Sequence, residues 1–396
     1  MKTLLTTFTF LFVACSSEAA RPNLVETRDS AGVRIVENRA PAEDHVARLG
    51  EPSLRLTGAE HGAEPYFRVT DVAALADGGF VVAVNGLGEL RFHNADGSLR
   101  AVSGRSGSGP GEFGYLSWLE PWHGDSVLAY DPRLQRLSVW TAAGERGRDV
   151  ELELPAGLPE GRILAYTGPA LYGVFADGTF LSAPPVALLA HGGEGMRTAV
   201  LPLMRHGASV ELDTLLVVAG FDYYELANPA ARPPMGEVGY ARGLSQAIGV
   251  DRFIISENRS NRIDVYSPDG TMLRSIRVLR ALDPVTAALR AAFTAEHEEP
   301  DAREPPIPAI FPDSMPVWQT LLLDGRGSIW AGRYPVADAV SRHWEVFSED
   351  GVLEGVLEMP ASFRPMAVRD GILYGVSRDS LDIEYIEVHS VPESLR

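Results

Sequence analysis

Few residues in this chain sit at spacings that could do chemistry. Gly109-Pro110-Gly111-Glu112-Phe113-Gly114 matches GxGxxG, the pattern that brings a backbone close to a pyrophosphate. That use requires a helix opening at the third glycine. Here Pro110 and the β-rich run from Leu116 to Trp122 surround the motif, so it reads as a tight loop between strands. Nine histidines are scattered from His45 to His389 without an HExxH pair, which disfavours a zinc hydrolase, and there is no GxSxG elbow. No DxDxDG loop occurs, but oxygen ligands can be assembled from distant segments. Asp71, Asn85, Glu120, Asp131, Glu257 and Asn258 are candidates to hold a divalent ion, calcium above all, that polarises a carbonyl. Lys2 is the sole lysine and lies in a leader-like segment, so Schiff-base chemistry and the P-loop GxxxxGK[ST] are excluded from the mature chain.

Charge narrows the partners. Lysine and arginine total 35 against 53 acidic residues, a net charge of −18 over 396 residues, which disfavours a nucleic-acid surface. The only cysteine is Cys15, so neither internal disulfides nor thiolate clusters can form. It follows a basic Lys2 and an apolar run from Leu4 to Ala14 that is too short to span a bilayer permanently. Leu11-Phe12-Val13-Ala14-Cys15 resembles a bacterial lipobox, with Phe12 where leucine is usual. The resemblance implies a signal peptide over 1–14, a diacylated Cys15, and residence in the cell envelope, at the outer membrane or periplasmic face and not in the cytoplasm. Ser16-Ser17-Glu18-Ala19-Ala20 continues as a flexible tether, with residues 15–30 assigned to it.

The elements that must position these residues are strands. Val69–Leu75, Gly79–Val84, Glu89–His93 and Ser98–Ser103 alternate and are joined by turns containing Asp77-Gly78, Asn85-Gly86 and Asp96-Gly97, the signature of an antiparallel meander. A lone meander cannot bury both faces. The turn between first and second strands recurs at Gly78, Asp125, Gly178, Asp251, Gly325 and Gly371, a spacing of about 45 residues with two expanded intervals, which is the period of propeller blades. The third unit is the least regular, with strands expected near Ile163–Thr167, Thr179–Ala183, Met196–Arg205 and Ser209–Val218. The sixth unit has three strands, whereas Glu51–Thr57 has no hairpin partner, so that strand is expected to complete the last unit and close the ring. Val33–Val36 is expected at an edge.

Between the fourth and fifth units, Asp283 is a candidate N-cap with Pro284 at the first helical position. Val285, Leu289 and Phe293 share one face before Pro300, which predicts a short amphipathic helix within an insertion spanning about 283–313. The expected fold class is therefore all-β: a six-bladed β-propeller of four-stranded antiparallel blades over 31–396, closed by an N-terminal strand, with one helical insertion. Fourth-to-first and second-to-third strand connections lie on one face. Asn85, Arg105, Glu112, Asp131, Asn258, Arg333 and Arg378 fall there and form the candidate binding face.

Gly79-Phe80-Val81-Val82-Ala83, Leu90-Arg91-Phe92-His93-Asn94-Ala95-Asp96-Gly97 and Asn261-Arg262-Ile263-Asp264-Val265-Tyr266-Ser267-Pro268-Asp269-Gly270 resemble NHL repeats. They are closer still to the NHL-like six-bladed propeller lipoproteins of environmental bacteria. That resemblance implies the fold, and NHL-type propellers are mostly binding platforms. The leading expectation is a monomeric, membrane-tethered platform for a protein or small ligand, needing no cofactor. The alternative is a divalent-metal-dependent lactonase or lyase with its site in the central channel.

Overall fold

The computed structural model describes residues 25–396, apart from 40–45, 60–61, 124, 151–161, 166–169, 184–185, 190–193, 208–209, 227–234, 237, 298–308 and 337–338. The leader-like segment and Cys15 lie outside the described residues.

The chain is all-β, and several of its sheets are four-stranded and antiparallel. The N-terminal segment supplies β1 (Val25–Ser30), β2 (Val33–Arg39), β3 (Val46–Arg48) and β4 (Leu54–Leu56). A first meander follows in β5 (Val69–Ala74), β6 (Phe80–Val84), β7 (Glu89–His93) and β8 (Leu99–Ser103). A second comprises β9 (Trp118–Trp122), β10 (Ser126–Asp131), β11 (Arg136–Thr141) and β12 (Arg146–Val150). The third sheet takes in β13 (Arg162–Ala165), β14 (Ala170–Val174), β15 (Phe180–Ala183), β16 (Val186–Leu189), β17 (Gly195–Gly207), β18 (Val210–Glu225) and β19 (Met235–Gly236). The fourth is built on β20 (Ser245–Ile248), β21 (Phe253–Ser256), β22 (Arg262–Tyr266) and β23 (Met272–Leu279), and helix α1 (Ala287–Glu296) follows it. The fifth contains β24 (Trp318–Leu323), β25 (Ile329–Arg333), β26 (Ser341–Phe347) and β27 (Leu353–Pro360); the sixth contains β28 (Phe363–Arg369), β29 (Ile372–Arg378) and β30 (Glu384–Ser390).

Turn chemistry sets these registers. Gly78 takes φ 84°, a left-handed conformation that costs glycine little, and Asp77 Oδ1 accepts the Gly79 N–H at 2.9 Å. Alternating apolar residues then fall on both faces of each meander, and the core lies between sheets. Val81, Phe92, Leu119 and Trp140 pack between the first and second, and Leu128, Tyr130, Leu171 and Phe180 between the second and third. The third and fourth, fourth and fifth, fifth and sixth, and sixth and first sheets share further clusters. Along the inner edge β5 touches β9 and β28, β20 touches β14 and β24, and β24 touches β28. The indole N–H of Trp118 on β9 donates to the Leu171 carbonyl on β14 at 2.9 Å.

The N-terminal segment laces three outer edges in succession. β2 pairs parallel with β23, β3 pairs parallel with β27, and β4 pairs antiparallel with β30. Asn38 ties the first two together: its Nδ2 donates to the Gly351 carbonyl at 2.9 Å and its Oδ1 accepts the Leu353 N–H at 2.9 Å. β4 is thus the fourth strand of the sixth sheet, where Glu51–Thr57 was expected.

Three expectations need correction. The first strand of the third unit is β14, not Ile163–Thr167, because β13 pairs with β16 at the opposite edge of the same sheet. Residues 25–30, assigned to the tether, form β1 and pair with β2. The helix is capped by Thr286 rather than Asp283, and its cap at the other end is His297. The Asp283 carbonyl accepts the Met315 N–H and Pro284 bridges Ser314, so that dipeptide is extended.

Candidate functional site

Helix α1 begins where the Thr286 side chain accepts the Leu289 N–H. None of its residues is fully buried, but Leu289 and Phe293 pack on a cluster of Tyr240, Val285 and Met315. Tyr240 holds the helix in place, donating its hydroxyl to the Leu289 carbonyl at 3.0 Å while its ring meets Phe293 edge-on. Beneath the helix lies a cavity of about 530 Å³ between the fourth and fifth sheets, within the size range of small-molecule sites. Strand ends bring charge to it: Arg280 follows β23, Arg333 ends β25 and Arg342 is the second residue of β26. Leu289, Met315 and Val336 supply apolar wall.

Glu345, with no exposed side-chain surface, sits below these arginines. Arg333 donates to its Oε1 through Nε at 3.0 Å and Nη2 at 2.7 Å, Arg280 engages both oxygens, and the Trp318 indole N–H reaches Oε2 at 2.9 Å. Burial would raise the carboxyl's pKa, but the Arg280 and Arg333 guanidiniums outweigh it and hold the group below its ordinary value. Gly332, opposite Trp344 on β26, leaves room for the indole, since a Cβ there would stand 2.7 Å from the ring.

A second cavity, of about 670 Å³, lies where β5, β9, β20, β24 and β28 converge, and it opens among the first-to-second strand turns. Asp71 and Glu120 face each other on β5 and β9. Asp71 accepts the Val72 N–H at Oδ1 and the Leu119 N–H at Oδ2, both at 2.8 Å. Burial pushes its pKa up to about 7, against the pull of those N–H groups and of Arg364. Burial, with the Asp71 charge added, pushes Glu120 up to about 8. Room for the Glu120 carboxyl comes from Gly173, whose Cβ would lie 3.2 Å from Oε2.

The residues of the predicted binding face are dispersed. Asn85 accepts the Leu116 N–H, and Asn258 accepts the Trp318 N–H while donating to Gly243 and Ser245; each thereby ties one sheet to the next. Asp131 accepts N–H groups of Gly114, Tyr115 and Leu134. Arg105 pairs with Glu112 at 2.6 Å within the Gly104–Gly114 loop, which carries no helix. Arg378 pairs with Glu384, which also accepts the Val69 N–H. Only Arg333 of the seven lines the cavity under α1.

Five of the six candidate metal ligands already hold backbone N–H groups. Asp71, Asn85, Asp131 and Asn258 commit oxygens to backbone N–H groups, and Glu257 accepts from Ala219 on the third sheet, away from the centre. Across sheets, Asp71 and Glu120 come close enough for the Asp71 charge to act on Glu120. Among the described residues no group of three or more His, Cys, Asp or Glu side chains is placed to hold a metal.

Arg280, Arg342 and Glu345 did not stand out in the sequence. A signal was present, since Glu345 interrupts the apolar run Trp344-Val346-Phe347, and a charge inside a strand needs partners.

No family model matches the sequence, and no curated protein matches it. Among solved structures the chain is similar to a gluconolactonase from Xanthomonas campestris at 13% identity and TM-score 0.43, covering 89% of this chain and 94% of the other. It is similar to virginiamycin B lyase from Staphylococcus aureus at 11% identity and TM-score 0.40, covering 85% and 99%. A calcium-binding regucalcin from Agrobacterium tumefaciens aligns at 12% identity and TM-score 0.40, covering 88% and 97%. No helix among the described residues is long and apolar enough to cross a membrane.

Proposed function

We propose that the six sheets are the blades of a closed six-bladed propeller, with β4 as the outer strand of the last blade. Its inner strands meet in sequence, and a packed cluster lies between the sixth and first sheets. The lipobox-like run ending at Cys15 supports a lipid tether in a bacterial envelope. The face that carries α1 is a binding platform. The observation that carries this reading is the cavity under α1, where Arg280, Arg333 and Arg342 meet apolar wall from Leu289 and Met315. Convergent polar groups on an apolar wall are what a small-molecule site needs. The test is a fragment screen by ligand-observed NMR on the full chain, repeated with Leu289→Trp, which fills the cavity. Hits lost in the variant support the platform; hits that persist place binding elsewhere.

The Asp71–Glu120 pair supports a second reading, an enzyme with its site in the central cavity. A carboxyl that titrates near neutrality suits proton transfer to a leaving oxygen. No metal enters this reading. A panel of lactones assayed with a pH indicator, wild type against Glu120→Gln, tests it.

A further inference from the structure

The charge around the cavity under α1 is not balanced. Arg280, Arg333 and Arg342 bring three guanidiniums to its wall. Glu345 already serves two of them, and both its oxygens are occupied. Asp283 is the one carboxylate among the described lining residues. Arg342 differs from its neighbours. Its Nε is buried without a hydrogen-bond partner, and it makes no ion pair among the described residues. Leaving such a donor unmet costs about 1–3 kcal/mol, and the guanidinium that carries it lines the cavity without a counter-charge among the described residues. The lining also includes apolar Leu289, Met315, Val336 and Val340, the last two 51% and 88% exposed. Exposed apolar side chains at a cavity mouth lose water-facing surface when a ligand settles there.

From this we infer that the cavity takes a small organic anion, with its charged head at Arg342 and its apolar body against Leu289, Met315 and Val336. The inference rests on the platform reading and names its ligand class. A free inorganic anion does not suit the site, because it would leave the apolar wall uncovered. A neutral apolar molecule does not suit it either, because Arg342 would stay unmet and become further desolvated.

A matched pair of probes tests the inference on the full chain: 6-phenylhexanoate and its neutral amide, titrated by equilibrium dialysis and followed by saturation-transfer NMR. The carboxylate should bind at least tenfold tighter than the amide. Arg342→Gln should remove that preference, and Arg342→Lys should restore part of it. The pair is informative in the wild-type protein even if a variant folds poorly. Equal affinities that ignore Arg342→Gln would overturn the anion inference while leaving the cavity as a ligand site. Binding of neither probe, or binding that survives Leu289→Trp, would remove the cavity from the platform reading itself.

Discussion

Both cavities draw carboxylates away from water, and they settle the cost in opposite ways. Under α1, Glu345 meets two guanidiniums and an indole N–H, and its proton is held off. At the centre, Asp71 and Glu120 face each other, and the guanidinium that acts on Asp71, that of Arg364, donates to the Val69 carbonyl. Burial is the largest influence on all three carboxyls, so what separates them is the supply of donors. A region with surplus donors holds fixed charge and recruits an anion. A region short of donors holds a proton that moves near neutral pH.

The largest expected effect lies in the compensated region. Glu345→Ala strands Arg280 and Arg333 and should cost about 3–5 kcal/mol in urea unfolding, the penalty for breaking a buried ion pair from one side. Replacing all three together, with Arg280→Met, Arg333→Met and Glu345→Leu, should cost far less, because no unpaired charge remains. A Glu345→Ala loss below about 1 kcal/mol would mean that solvent, not protein, compensates this charge.

The central region should respond with the opposite sign and only at higher pH. Glu120 keeps its proton in the fold up to about pH 8, whereas its ordinary pKa is 4.5. Its contribution to stability is therefore full below pH 4.5 and is lost as the pH rises through about 8. Glu120→Gln removes the ionisable group, so it should stabilise the protein at pH 8.5 by on the order of 2 kcal/mol and change little at pH 4. Urea midpoints at the two pH values check this. An equal difference at both would erase the electrostatic contrast between the cavities.

How much of this was legible in the sequence depends on whether a residue's partner is local. β5 to β8 follow from Asp-Gly turns and alternation to within a residue or so. The destination of β4 could be found by counting, since one strand lacked a partner and one unit lacked a strand. The third sheet does not yield to counting, because β13 looks like the start of a meander but pairs with β16 across the intervening β14 and β15, and nothing local signals that non-sequential pairing. The parallel partners of β2 and β3 lie about 240 and 310 residues away, beyond any turn signal. The same limit governs the sites. Asn85, Asp131 and Asn258 have the composition of a binding face, yet they brace backbone. Arg342 reads like a solvated strand end until the cavity beside it is seen.

The smallest expected effect tests whether the roof of the compensated cavity is an independent element. α1 has no fully buried residue, so its stability depends on the Thr286 cap and on partial packing of Leu289 and Phe293. Thr286→Ala should cost about 1 kcal/mol, the usual value of such a cap. That loss should be confined to the helix, since the sheets share clusters that exclude it. Hydrogen exchange should accelerate about fivefold at the α1 amides and not at β24 to β27, with the melting temperature unchanged and Thr286→Ser restoring protection. Acceleration spread through the fifth sheet would mean that helix and blade open together. A ligand under α1 would then be coupled to the sheets, as a ligand in the central cavity would be, and the two regions would differ in charge but not in mechanics.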